Sequence, residues 1–402
     1  MKVLFVNLVY GVGSTGKIIA DIADLLRKGG SDVRILYGAG ADSSDADARR
    51  TAGRLEYYAH NALSRLTDHA GLYSRAATRR MIREIKTFQP DLIHLHTLHG
   101  FYVNYEMLFR FLKGSGIPVV WTLHDCWFTG HCTHFSQIKC TQWQTECQSC
   151  QLLRRYPHCY GKGDVRRNFL RKKDAFTGVK NLVITTPSQW LAGQVSRSFL
   201  RNYPRTVIPN GIDRTIFRPQ ASDLREKYHL ERKKIILGVA STWSAQKGLP
   251  DLLALADRLC ADYQVVLIGL TSKQLSHLPP NVLGLPRTAD QTELAQWYTT
   301  ANVFVNPTYE DTFPTVDMEA QSCGTPVVVY ETDGCPETLV SEDSVLVAQG
   351  NLDGLECAVR DIIRRGTRVA PFKTERFDKN CTYREYIRLY EYMCGSAFQR
   401  EK

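Results

Sequence analysis

Asn306-Pro307-Thr308-Tyr309-Glu310-Asp311-Thr312-Phe313-Pro314-Thr315-Val316-Asp317-Met318-Glu319-Ala320-Gln321-Ser322-Cys323-Gly324-Thr325-Pro326-Val327-Val328 is the stretch on which the fold turns. An apolar run, Val303–Asn306, ends where it begins. An acidic loop follows, then a helix from about Thr315, then Cys323-Gly324-Thr325-Pro326 into a second apolar run, Pro326–Tyr330. Two short apolar runs joined by a helix form a parallel-sheet unit, because parallel neighbours need a crossover and are buried on both faces. Seven residues separate Asp311 from Glu319. One carboxylate therefore precedes the helix and the other rides on it, at the mouth of the sheet beside a helix N-terminus.

The same alternation extends in both directions. Strands are expected at Lys2–Leu8, Val33–Tyr37, Asp91–Leu95, Pro118–Leu123, Asn181–Thr185 and Thr206–Ile208. A second series is expected at Lys234–Ala240, Gln264–Ile268, Val282–Leu283, Val303–Asn306, Pro326–Tyr330 and Val345–Val347. Helical stretches between them include Thr15–Lys28, Ala76–Phe88, Leu249–Cys260, Gln291–Thr300 and Leu352–Arg364. Continuous apolar strands alternating with helices predict an α/β protein. The pattern restarts near Lys233, after the polar stretch Pro209–Lys234. Two doubly wound, Rossmann-like domains follow, 1–205 and 206–380, with 381–402 as a helix returning to the first. Ligands of such folds sit at the carboxyl ends of the strands, so two facing domains would place a site in the cleft between them.

Composition agrees. The 402 residues are 43% hydrophobic and 23% charged, which excludes collagen, coiled coil and disordered chains. The longest apolar runs, Ile117–Leu123 and Tyr263–Leu270, fall far short of the ~20 residues that span a bilayer. Met1–Asn7 lacks the length and cleavage site of a signal peptide, so a cytoplasmic protein is expected. The net charge of +10 points to an anionic partner: nucleic acid, anionic lipid or a phosphorylated substrate.

After the first strand, Gly11-Val12-Gly13-Ser14-Thr15-Gly16-Lys17-Ile18 matches a dinucleotide fingerprint and nearly matches a P-loop. Ile18 has no hydroxyl for magnesium, and no carboxylate follows the second strand until Asp42. The shared physics remains: glycines admit a ligand to the backbone, and a helix N-terminus faces an anion. Gly13 and Gly16 are candidate donor-binding residues on that ground.

With these residues in hand, the chain resembles the retaining glycosyltransferases of family 4, which have the GT-B fold. The signature is an acid, seven residues and a Glu, followed by Ala and a Cys-Gly-x-Pro ending. Pro209-Asn210-Gly211-Ile212-Asp213, Thr186-Pro187-Ser188, Trp121-Thr122-Leu123-His124-Asp125 and Lys247-Gly248 resemble further family motifs, and the likeness spans nearly the whole chain. The resemblance implies a nucleotide-diphosphate sugar, UDP- or GDP-linked, as donor and a glycan or lipid-linked acceptor, in surface polysaccharide synthesis, with no cofactor for catalysis. It implies that Lys247 faces the donor diphosphate, Glu319 binds the ribose, His124 contacts the sugar, and Asp311 and the Phe313 backbone bind sugar hydroxyls. Thr315 at the helix start belongs to the same donor set. His124, Asp311 and Lys247 are the implied catalytic residues. Three departures stand out. The first acid is Asp311 with Glu310 beside it, leaving open which reaches the sugar. Pro314 replaces a glycine, and Thr242 an arginine.

Six of the twelve cysteines lie in 126–160, which reads as a small module inserted in the first domain. Cys132, Cys140, Cys147 and Cys150, with a C-x-x-C at 147–150, are candidate ligands of one structural zinc, and His131, His134 and His158 are further possible ligands. The six cysteines from Cys260 to Cys394 read as buried thiols. Gln151–Lys180 then holds nine Lys and Arg against two acids, a candidate acceptor or anionic-membrane face on the cytoplasmic leaflet. Two alternatives stay open at this point. One is a nucleotide-sugar epimerase on the same fold. The other is a zinc-stabilised nucleic-acid-binding protein, which the acidic Glu310–Glu319 segment argues against.

Overall fold

A computed structural model describes residues 1–398. It divides into two units, Met1–Pro209 with the chain from Thr382 on, and Asn210–Cys381. The first contains β1 (Lys2–Asn7), β2 (Asp32–Tyr37), β3 (Ala48–Arg50), β4 (Leu92–Leu95), β5 (Val119–Thr122), β6 (Leu182–Thr186) and β7 (Arg205–Val207). They form one sheet in the order β3-β2-β1-β4-β5-β6-β7, with every pairing parallel. Between the strands run α1 (Gly13–Lys28), α2 (Arg54–Thr67), α3 (Arg75–Phe88), α4 (Tyr105–Ser115), α5 (Val165–Phe176) and α6 (Gln189–Arg197). The second unit has β8 (Lys234–Val239), β9 (Tyr263–Ile268), β10 (Val282–Leu285), β11 (Val303–Asn306), β12 (Val327–Tyr330) and β13 (Val345–Val347), ordered β10-β9-β8-β11-β12-β13 and again parallel. Its helices are α7 (Leu224–Lys227), α8 (Leu249–Arg258), α9 (Ser272–Leu275), α10 (Gln291–Thr300), α11 (Thr315–Ser322) and α12 (Leu352–Arg365). The last helix is α13 (Lys379–Phe398).

The strands are buried from both faces. Val3 to Val6 of β1 are fully enclosed, and α1 covers one face with Ile18, Ile19, Ile22, Ala23 and Leu26 at helical spacing. The same layer receives α13, which lays Tyr383, Tyr386, Tyr390 and Met393 against Val3, Phe5 and Val120. The Tyr390 hydroxyl lies 2.6 Å from His94 Nδ1, and the other ring nitrogen of His94 lies 2.7 Å from Thr122 Oγ1. Burial keeps His94 neutral by driving its pKa down, so one ring nitrogen donates and the other accepts, and each has a hydroxyl partner.

Several boundaries differ from the sequence reading. β3 falls outside the expected strands, because Ala48-Arg49-Arg50 carries no apolar signal and is held by backbone pairing to β2 alone. β7 closes the first sheet through Ile184–Arg205 and Thr186–Val207 pairing, so residues 206–209 belong to the first unit rather than the second. Part of the expected linker is core of the second unit, where Ile212, Phe217 and Leu224 are buried. The Cys-rich segment is no separate module. Trp127, Phe128, Phe135, Trp143 and Leu152 join the core of the first unit. All twelve cysteines are free, and Cys260, Cys357 and Cys381 are exposed rather than buried. Cys357 rides on the solvent side of α12, whose inner face is Leu355, Ala358, Val359 and Ile362. No described helix is long and apolar enough to cross a membrane.

Replacing Tyr390 by Phe leaves His94 Nδ1 without a partner inside a packed layer. The expected cost is about 1–3 kcal/mol, read as a lower urea midpoint with an unchanged denaturant slope.

Candidate functional site

In the second sheet the strand order reverses between β8 and β11, and the crevice beyond the carboxyl ends of those strands is where such folds take ligands. Both segments carrying the predicted donor residues leave the sheet there. After β8 a single turn, Ala245–Lys247, is capped by the Ser244 side chain. Gly248 follows with φ of 73°, and a Cβ there would stand 2.1 Å from the Pro307 carbonyl oxygen. Only glycine permits both the left-handed turn and this approach. The turn is thereby pressed against the loop after β11, whose Tyr309 N–H donates to Gln246 O at 2.8 Å. Lys247 Nζ donates to Asp311 Oδ2 at 2.6 Å and to the Glu310 carbonyl at 3.3 Å. Burial works against the ammonium, but the Asp311 charge and hydrogen bond outweigh it and raise the Lys247 pKa. The other Asp311 oxygen accepts from the Phe313 N–H at 3.2 Å, so this amide is already engaged.

α11 begins directly after this loop. Pro314 occupies the cap position and offers no side-chain cap. The first N–H groups of the helix, from Thr315 onward, therefore present a positive end. Glu319 sits one turn in, and the buried Tyr298 hydroxyl donates to its Oε2 at 3.0 Å. Phe313 packs edge-on against Phe377 below the loop. The family's arginine position, Thr242, is exposed.

Asp317 carries no mark in the sequence. It is fully buried on the inner side of α11, and burial pushes its pKa up to about 8. Asn306 Nδ2 donates to its Oδ1 at 2.8 Å. Thr338 Oγ1 lies 3.1 Å from its Oδ2 but closer, 2.7 Å, to the Cys335 carbonyl. The one hydroxyl proton of Thr338 serves the carbonyl, and Asp317 carries its own proton toward Thr338. Nothing in local spacing separates this carboxylate from Asp311 and Glu319. Only the packed fold does.

Gly13, Gly16 and His124 belong to the first unit. Gly13 has φ of 65° and opens α1, and Gly11 N–H closes the loop onto Gly16 O at 3.1 Å. His124 follows β5, stacks on His96, and lies 2.9 Å from it through Nε2 and Nδ1. Burial lowers the His124 pKa to about 4. Beside it is a pair the sequence reading passes over. His99 Nε2 is 2.6 Å from Asp125 Oδ2, and the Tyr156 hydroxyl is 3.0 Å from His99 Nδ1. Against the effect of burial, the His99 charge holds Asp125 down at about 2. His99 falls in no motif. It meets Asp125 because β4 and β5 are neighbours in the sheet, not through any spacing along the chain.

The basic run is partly consumed internally. Arg171 pairs with Glu106 at 2.6 Å, Arg166 pairs with Glu146, and Lys172 is buried. It is therefore less of a free cationic face than its count suggests.

The Glycosyltransferase Family 4 profile matches residues 15–215, and the Glycosyl transferases group 1 profile matches 233–365. The chain belongs to glycosyltransferase family 4, and it is a glycosyltransferase with two Rossmann-like GT-B domains. The epimerase and nucleic-acid-binding alternatives are thereby set aside. It is 25% identical over 374 residues to a protein of Escherichia coli (strain K12) named provisionally as the colanic acid biosynthesis glycosyl transferase WcaC, covering 86% of this chain and 89% of that one. In fold it is similar to sucrose-phosphate synthase from Thermosynechococcus elongatus, with a TM-score of 0.75 at 17% identity over 98% of this chain and 100% of that one. Anabaena Alr3699/HepE in complex with UDP-glucose gives 0.67 at 18% identity over 97% and 99%.

Asp317 is protonated in the fold and ionised in the unfolded chain between pH ~4 and ~8, so it makes stability fall as pH rises through that window. Asp317→Asn keeps the acceptor for Asn306 and a donor for Thr338. The variant is expected to fold and to show a flatter urea midpoint from pH 5 to 8.5 than the parent protein, measured side by side.

Proposed function

We propose that the chain transfers a sugar from a UDP- or GDP-sugar to a glycan or lipid-linked acceptor, with retention of anomeric configuration, in the making of a surface polysaccharide. The observation that carries the donor reading is the Lys247–Asp311 pair set at the uncapped N-terminus of α11, with Glu319 anchored one turn along. Departure of a nucleoside diphosphate leaves negative charge on its phosphates and positive charge on the sugar ring. The Lys247 ammonium and the first N–H groups of α11 meet the phosphates, and a preorganised cation and helix end are effective there because they need no reorientation. Glu319, held by Tyr298, accepts from the ribose hydroxyls. Of the two adjacent acids, Asp311 is the one that meets the sugar, because its carboxylate stands with Lys247 at the helix mouth. His124, neutral by burial, serves as a hydrogen-bonding partner of the sugar rather than as a charge.

The name of the Escherichia coli relative supports the polysaccharide role, and the UDP-glucose complex of the Anabaena protein supports the uridine nucleotide. A lipid-borne acceptor is supported by α2 of the first unit, which leaves Leu55, Tyr58 and Leu66 exposed at 87, 65 and 67%.

Thermal unfolding with UDP, GDP and NAD tests the donor reading. UDP or GDP is expected to raise the transition temperature, and Lys247→Ala and Glu319→Ala to abolish the rise. Stabilisation by NAD alone, or a rise untouched in both variants, would sink it. In turnover with the matched sugar nucleotide, Lys247→Ala is expected to lower kcat by about 100-fold. Tyr298→Phe is expected to raise KM for the donor with a smaller effect on kcat. Proton NMR of the first-formed product tests retention: an anomeric configuration opposite to the donor's contradicts it.

A further inference from the structure

We propose that the Cys-rich segment of the first unit binds one zinc-class cation through the thiolates of Cys132, Cys140, Cys147 and Cys150, with the Asp68-held ring of His131 set beside that cluster. This stands independently of the donor reading, since every residue involved lies in the first unit.

The four cysteines lie far enough apart in sequence to need the fold to bring them to one place, and it sets them around a single cavity. All four line one cavity of about 240 Å³ between Gly130 and Val165. The Cys132 thiol hydrogen-bonds to that of Cys150, and Cys147 is in electrostatic reach of both Cys140 and Cys150. None is in a disulfide. As they stand, no three of the described His, Cys, Asp and Glu side chains are set to hold a metal ion. The sulfurs line the cavity rather than converge, and ligation is the step that would draw them together, with release of the thiol protons to solvent.

Two side chains around the cavity suit an occupant of that kind. His131 lines the same cavity, and its side chain is 1% exposed. Its Nδ1 is fixed by Asp68 Oδ1 at 2.5 Å, while its Nε2 is buried with no hydrogen-bond partner. Buried ring nitrogens are rarely left unmade. A carboxylate that holds one imidazole nitrogen and leaves the other facing a metal is the usual partner of a metal-site histidine. Here the His131 ring lies in electrostatic reach of Cys150. The second is Lys172, whose buried amine donates to the Trp127 and Gly130 carbonyls and stands beside Cys132 and Cys147. Four thiolates around a divalent cation carry a net charge of −2, and a neighbouring ammonium offsets it. Soft thiolate donors in a four-ligand set select zinc over magnesium or calcium.

The site has a structural consequence inside the same unit. Six residues beyond Cys150 lies Tyr156, which holds His99 in its pairing with Asp125. Closing the cluster fixes the segment that carries this tyrosine.

The test is metal analysis of the full chain, purified under reducing conditions without chelator. About one zinc per chain is expected, and replacement by Co²⁺ should give the intense near-ultraviolet thiolate-to-cobalt band and the red tetrahedral bands of a four-sulfur site. Cys147→Ser and Cys150→Ser should lose the metal, while Cys260→Ser, at an exposed site outside the segment, should keep it. His131→Gln should retain it with affinity weakened about 10- to 100-fold. A metal content below about 0.1 per chain together with no cobalt bands in the reduced protein would overturn the proposal. So would full retention in Cys147→Ser, or iron with a visible chromophore in place of zinc. Should a serine variant fail to fold, the cobalt spectrum of the unaltered chain still decides the matter.

Discussion

The ammonium of Lys247 and the carboxylate of Asp311, 2.6 Å apart, are the contact around which the second unit is organised. Each comes from a different strand end, β8 and β11, that the parallel sheet makes neighbours. Gly248 lets the Lys247 turn lie against the Pro307 carbonyl, where no side chain fits. Pro314 then starts α11 without a cap, so the open helix end and the ammonium face the same place. The site is therefore a product of two close backbone approaches and one helix terminus, not of a loop free to rearrange.

A polar site at the end of a sheet must be held up by something buried. Asp317 does this from below as a neutral acid, tying Asn306 at the end of β11 to Thr338 across α11. An ionised carboxylate at that depth would compete with Asp311 for Lys247. The first unit makes a parallel arrangement with imidazoles. The buried His94 and His96 and the half-buried His124 form a column along β4 and β5, and Tyr390 of the last helix closes its inner end. Burial holds these rings neutral, so the column is a hydrogen-bonding element rather than a set of charges.

Much of this is legible in the chain. The strands read as short apolar runs because both faces are covered, and α10 and β11 fall where the periodicity puts them. Lys247, Asp311 and Glu319 are marked by order along the chain and by the resemblance to family 4, and the fold places Lys247 on Asp311. What escapes has a physical reason in each case. β3 is three residues with no apolar run. His99 and Asp125 meet because β4 and β5 are adjacent, which no spacing announces. Asp317 looks like any first-turn acid until its burial is known. The run of bases from 151 to 180 reads as surface, yet Lys172 turns inward under the Cys-rich segment.

The central claim is that Lys247 is placed to meet the phosphates of a nucleoside diphosphate. Calorimetric titration of UDP and of uridine into the parent protein and Lys247→Met measures it directly. UDP is expected to bind the parent far more tightly than uridine does, and the variant to lose at least about ten-fold of that difference, or roughly 1.4 kcal/mol. An unchanged difference between the two ligands in the variant would contradict it.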